Sequence, residues 1–312
     1  MNTGKPSTWE VTKKTFSKFF DDNPLDYAAI IGFYTIFSLP AVLIITIRIA
    51  GAAFGQEAVR GEVVRQIGGI VGRNSAAQIQ SIIENANQSD ASVIGTIVGV
   101  SVMAFSATTV FVALQDSING MWKVKAKIEK GWLKLVVARV LSLAMVVSLG
   151  FLLLVSLSID VVLGLVNDYL KQELSGIAVY LMTAANITVS ILISILIFAI
   201  IFKVLPDAKT KWKNVWIGAT VTAILFAIGK YMLNIYFQHD PLADTYGAAG
   251  SLVLILVWVY YASIIFLLGA EFTQVYAQLH DHYIEPTDTA VKVKKKEIET
   301  DLDTGKVEEK EK

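Results

Sequence analysis

The chain has no cysteine, only three histidines, and few charges: Asp, Glu, Lys and Arg make up 17% of its 312 residues, against roughly 25% in a typical soluble domain. Without cysteine there is no disulfide framework, no thiolate metal site and no cysteine nucleophile. The three histidines, His239, His280 and His282, are too few for the converging His and carboxylate sets that hold two metal ions for phosphodiester cleavage. A glycine-rich phosphate loop ending in Gly-Lys-Ser/Thr is also missing, which argues against a primary ATP-driven pump. Lys plus Arg and Asp plus Glu both number 27, so overall charge points to no nucleic-acid partner. No cofactor, catalytic group or metal site is expected, and no enzymatic activity.

Apolar residues are abundant instead. They make up 54% of the chain, with a mean hydropathy of +0.56. A bilayer core of ~30 Å needs about 20 apolar residues in a helix. Runs of that length, apolar all round rather than on one stripe, recur along the chain. They predict an all-α, polytopic membrane protein with six transmembrane helices at about 28–54, 92–115, 138–165, 176–203, 215–237 and 248–275. The membrane domain as a whole is expected to cover 28–276.

Lys and Arg in short loops set orientation. Twenty of the 27 fall before the first span, between spans two and three, between four and five, or after the sixth. Four fall in the alternate loops, and Arg48, Arg139 and Lys230 lie within or at the edges of spans. Both termini are therefore expected in the cytoplasm, with the protein in the bacterial inner membrane. Trp9, Trp122, Trp132, Trp212 and Trp216 fall at the same predicted interface, where indole prefers to sit.

Three other segments carry expectations. Residues 1–27 form a cytoplasmic N-terminal segment, in which Trp9, Phe16, Phe19 and Phe20 alternate with Lys13, Lys14 and Lys18 over 9–20. That pattern reads either as an amphipathic helix on an anionic leaflet or as a plain polar lead-in. Within 57–86, Val59, Val63, Ile67 and Val71, then Ile79, Ile82 and Ile83, read as two short amphipathic helices capping the outer face. Residues 277–312 are rich in both charges and are expected to be a disordered cytoplasmic tail.

Taken together, several runs resemble one family. They are FYTIFSLP at 33–40, LQDSINGMW at 114–122, LPD at 205–207 followed by Trp212, YGAAGSL at 246–252 and LGAEFT at 268–273. Their order and spacing, over residues 10 to 280, resemble the YihY/BrkB family of bacterial inner-membrane proteins. The resemblance implies a six-helix membrane protein, with labels that range over ribonuclease BN, virulence factor and transporter.

An ionisable side chain inside a membrane span costs ~2.5–3.5 kcal/mol on insertion scales, so each one is a functional candidate. Arg48 and Lys230 lie outward of mid-span, where they either line a cavity or snorkel to the outer headgroups. Asp160 and Glu271 lie nearer span ends. Asp116 and Asn119, one helical turn apart, either pair with inner-side lysines or cap the helix. Pro40 removes a backbone hydrogen bond and predicts a kink. Gly51 with Gly55, and Gly95 with Gly99, have the spacing that lets helices approach, within the chain or in a homo-oligomer. The expected partners are membrane lipids and an anionic solute or lipid, moved by transport or translocation. The alternative is a non-transporting envelope scaffold or lipid-binding factor.

Overall fold

The computed structural model describes residues 6–71, 77, 80–81, 93–127, 176–238, 250–280, 283–293, 296–300 and 307–311. The expected span at 138–165 with Asp160, Trp132, His239, Asp281, His282 and most of 72–86 lie outside these residues.

Helix α1 (Thr8–Asp21) opens on Ser7, whose hydroxyl accepts from Trp9 N–H at 3.4 Å, as an N-cap side chain does. It ends against Asn23, whose φ of 53° is the left-handed turn that Asn tolerates. Pro24 then starts α2 (Pro24–Phe54) at a position where its missing N–H has no helical partner to lose. α2 stops at Gly55, with φ of 88° and its N–H donating to Gly51 O at 3.0 Å. The Gly51–Gly55 pair thus closes a helix and lets α3 (Gln56–Val71) turn back, since a Cβ on Gly51 would strike Gln56.

The remaining helices are α4 (Val93–Met121), α5 (Gly176–Val204), α6 (Trp212–Gln238) and α7 (Gly250–Leu279). Among the described residues, four stretches are long and apolar enough to cross a membrane: Pro24–Arg48, Ile187–Val204, Trp212–Leu233 and Leu252–Leu279. Pro40 lies inside α2 without ending it. One position from the Ile36 carbonyl that Pro40 leaves without a donor, Ser106 of α4 donates to Phe37 O at 2.9 Å, and Ser38 donates back to Ser106 O at 2.6 Å.

α7 is the central helix, packed on α1, α2, α4 and α6, with α5 against α6. Between apolar helices in lipid, burial gives little drive to associate, so close approach and hydrogen bonds must supply it. The α6–α7 contact shows how. Gly218 faces Thr273 and Gly269 faces Thr222, so a Cβ on either glycine would overlap the opposing hydroxyl. Each threonine hydroxyl is already turned to its own helix, Thr222 to Gly218 O at 2.7 Å and Thr273 to Gly269 O at 2.8 Å, which leaves only small, satisfied surfaces between the antiparallel helices. Phe202 stacks on Phe266 at 5.3 Å, with Phe198 beside both. α3 buries Val59 and Val63 against Ile44, Ile47, Ile255 and Val259, while Glu57 and Arg65 face outward.

Four short strands gather at one end of the bundle. β1 (Val124–Ala126) pairs antiparallel with β4 (Ala290–Lys292), Lys125 opposite Val291, and β2 (Ala208–Lys209) pairs with β3 (Glu285–Pro286). β5 (Lys296–Thr300) and β6 (Val307–Glu311) form a hairpin. The expectation of a disordered tail from 277 is corrected here: α7 continues to Leu279, and the chain beyond it ties together the loops after α4 and α5. Composition misleads because backbone N–H and C=O groups make these ladders, and side-chain charge does not prevent them.

Candidate functional site at the strand end of the bundle

Glu271 lies in the last three turns of α7, wholly shielded at 0% exposure. Lys18 of α1 reaches it with Nζ 2.7 Å from Oε1, and the same ammonium donates to Gln274 one turn further along α7. Oε2 has no hydrogen-bond partner among the described residues. α1 delivers Lys18 because its Val11, Thr15 and Phe19 face is buried toward the bundle, while Trp9, Phe16 and Phe20 stand exposed on the other side. Residues 9–20 are thus helical, and one face of that helix packs on α7.

A second charge pair adjoins the first. Asp22, 3% exposed, follows α1 and stands 3.3 Å from the ammonium of Lys123. Lys123 follows α4 with φ of 55°, its N–H returning to Gly120 O at 3.2 Å, the left-handed helix stop that glycine usually makes. That backbone turn aims Lys123 back at the α1–α2 junction.

Three of the family-like runs, 114–122, 205–207 and 268–273, meet here. Asn119 grips Asp207 twice, Nδ2 donating to Oδ2 at 2.8 Å and Oδ1 accepting from the Asp207 N–H at 2.9 Å. Thr287, between β3 and β4, donates its N–H to the Asp207 carbonyl at 2.9 Å. Trp122, 1% exposed, donates Nε1–H to Ala270 O at 2.9 Å. Trp122 is therefore a core residue, whereas Trp212 and Trp216 are half-exposed. Asn119 pairs with Asp207 rather than with a lysine. Asp116 is accessible and has no hydrogen-bond or ion-pair partner among the described residues.

The two basic candidates sit elsewhere. Arg48, near the far end of α2, and Lys230 of α6 are both exposed. Gly229 beside Lys230 packs on Tyr261, ten residues before Glu271, or about 15 Å along the helix at ~1.5 Å per residue. Glu271 and the basic pair do not share one buried cavity. His280 stacks on Tyr276 at 4.0 Å, its Nδ1 2.9 Å from Tyr276 O, and no metal-holding group of His and carboxylates occurs among the described residues.

Sequence reasoning found Glu271 from its place in an uncharged run but missed Lys18, Asp22 and Asp207 as partners. Lys18 carried one available signal, its place at the end of a helix whose aromatic residues occupy more than one face.

The chain matches the family described as Virulence factor BrkB over residues 15–293. It is 27% identical over 184 residues to a UPF0761 membrane protein of Tolumonas auensis, covering 57% of this chain and 56% of that one. It is 25% identical over 272 residues to a UPF0761 membrane protein of Verminephrobacter eiseniae, covering 85% and 62%. With one from Vibrio cholerae, identity is 32% over 84 residues, 27% of this chain and 28% of that one. The chain thus spans about half the length of the curated relatives it matches first. No solved structure matches. With the family match running from α1 through β4, and with long apolar helices between, this chain is an integral membrane protein of the BrkB family.

Proposed function

We propose that the protein crosses the bacterial inner membrane six times with both termini in the cytoplasm, and that it moves an anionic solute or lipid across that membrane. The strand end is then its closed cytoplasmic end. The observation that carries this reading is the buried Glu271, held by a lysine from a separate helix outside the spans. A carboxylate shielded inside a bundle is costly unless paired, and a pair made between two elements can be opened by moving one of them. Arg48 and Lys230 then offer positive charge to the substrate from the outer half.

Orientation has a direct test. Because the chain is free of cysteine, single cysteines at Ser7, Arg65 and Glu297 can be labelled in intact cells with a membrane-impermeant maleimide. Labelling at Arg65 alone is expected; labelling at Ser7 or Glu297 would reverse the topology. For transport, purified protein in liposomes is assayed for flux of anionic fluorescent lipid and of small anions. The Arg48→Leu, Lys230→Leu double variant should slow flux about tenfold, the loss expected from one charge-assisted contact. Wild-type flux from the double variant would sink the charged-path idea.

One observation favours the scaffold or lipid-binding reading. Arg48 and Lys230 are both exposed and lie on different helices, as two residues snorkelling to the headgroups would be. Absence of flux from folded wild-type protein would select that reading.

A further inference from the structure

A cleft of about 500 Å³ opens at the strand end, between the first turn of α2, the last turns of α4 and strand β1. Its walls include Tyr27, Asp116, Asn119, Gly120, Lys123 and Lys125. The volume is that of a small-ligand pocket. Tyr27 lies three residues into the apolar stretch Pro24–Arg48, so the cleft opens beside the start of a long apolar helix, where a span meets headgroups.

The wall is divided by charge. One part presents the accessible Asp116 carboxylate, with Tyr27 leaning over Gly120 so closely that a Cβ there would overlap its hydroxyl. Another part presents Lys125, exposed on β1, and Lys123, whose ammonium is shared with Asp22 at 3.3 Å. A simple anion entering this cleft meets Asp116 with Asp207 near it, and a simple cation meets Lys125 and the partly neutralised Lys123. A ligand carrying both charges a few ångströms apart satisfies both, while either single charge leaves one group opposed. Carboxylate and phenol oxygens accept hydrogen bonds, so they favour an ammonium with N–H donors over a quaternary one, which instead asks for several aromatic faces.

We infer that this cleft binds a primary ammonium–phosphate zwitterion, the chemistry of an ethanolamine phospholipid headgroup, with the ammonium at Asp116 and Tyr27 and the phosphate at Lys125 and Lys123. The site is separate from the Lys18–Glu271 pair, and it stands whether or not the protein translocates anything.

Native mass spectrometry of the full chain in micelles tests it, with phosphatidylethanolamine, phosphatidylcholine and phosphatidylglycerol offered in equal amounts. The wild type should retain phosphatidylethanolamine about tenfold over both others, as one charge-assisted hydrogen bond predicts. Asp116→Asn should erase the preference over phosphatidylcholine, Lys125→Ala should lower retention, and Asp116→Glu should keep both. Equal retention of the three lipids, or an Asp116→Asn variant that folds and still discriminates, overturns the assignment. Soluble glycerophosphoethanolamine is the second arm. If it displaces the bound lipid at equal concentration, the same zwitterion comes from solution; if only the lipid binds, it comes from the leaflet. Asp116 and Lys125 are accessible, so wild-type melting temperatures are expected and separate loss of binding from loss of fold.

Discussion

The two ends of the helical bundle treat charge in opposite ways. At the strand end Glu271 and Asp22 are buried, and each is met by a lysine from another element. At the other end Arg48 and Lys230 lie exposed. Geometry at the strand end is therefore over-determined: moving α1 disturbs the Glu271 pair, and moving the loop after α4 disturbs Asp22, Asp207 and the strands together. The far end still packs Ile44, Ile47, Val59 and Val63 into a core, but the exposed Lys230 side chain can change without disturbing it, which suits contact with solutes or headgroups.

The sharpest way to break this contrast is Lys18→Met. Leaving Glu271 buried without its partner should cost about 3–5 kcal/mol, and replacing both residues in Lys18→Met, Glu271→Leu should recover much of that loss. Unfolding followed by helicity in detergent checks it, and wild-type melting of the single variant would remove the pair from the account. Next come Gly218→Ala and Gly269→Ala, which force α6 and α7 apart at the threonines and should cost about 1–3 kcal/mol. Gly61→Ala on α3 is their control, since nothing lies within 4 Å of a Cβ there. It should gain up to about 1 kcal/mol of helix propensity.

Smaller effects refine the comparison. Trp122→Phe keeps an aromatic ring but loses the donor to Ala270 O, worth about 1 kcal/mol in thermal unfolding, and adds the cost of the void left by the smaller side chain. Lys230→Leu should leave stability within ~0.5 kcal/mol of wild type; a larger drop would mean that the far end holds its charge as the strand end does.

The smallest change is expected at Asp288. Lys209 donates to it at 2.7 Å and, by that bond and by its charge, holds the carboxyl below its ordinary range. A lowered carboxylate contributes above its unfolded pKa and loses that contribution as pH falls through the folded one. The pair is on the surface, where such bridges are worth little. Asp288→Asn should leave the melting temperature unchanged at neutral and at acid pH.

Legibility in the sequence followed the range of each interaction. Long apolar helices such as 24–54 and 250–279 were readable because the length of an uncharged run is local information. Boundaries shifted where capping decided them: α2 begins at Pro24 because of the Asn23 turn, and α4 runs on to Met121, which ends at the Lys123 turn. Asn119 was noticed, but neither a lysine nor a helix cap is what it meets, since Asp207 lies 88 positions away. Trp122 was assigned to the interface from residue type and place, and only packing against Ala270 shows it buried.

By itself, then, the sequence determined that this is a membrane chain, where its long apolar helices run and on which loops its lysines gather, because the bilayer tests each segment for length and charge one at a time. Tertiary structure alone decided that Glu271 meets Lys18, that a segment 256 positions before Gln274 supplies its hydrogen bond, and that a charged C-terminal stretch is paired into strands. Those choices depend on which backbone groups and side chains come within 3 Å of one another, and no period or composition along the chain encodes that distance.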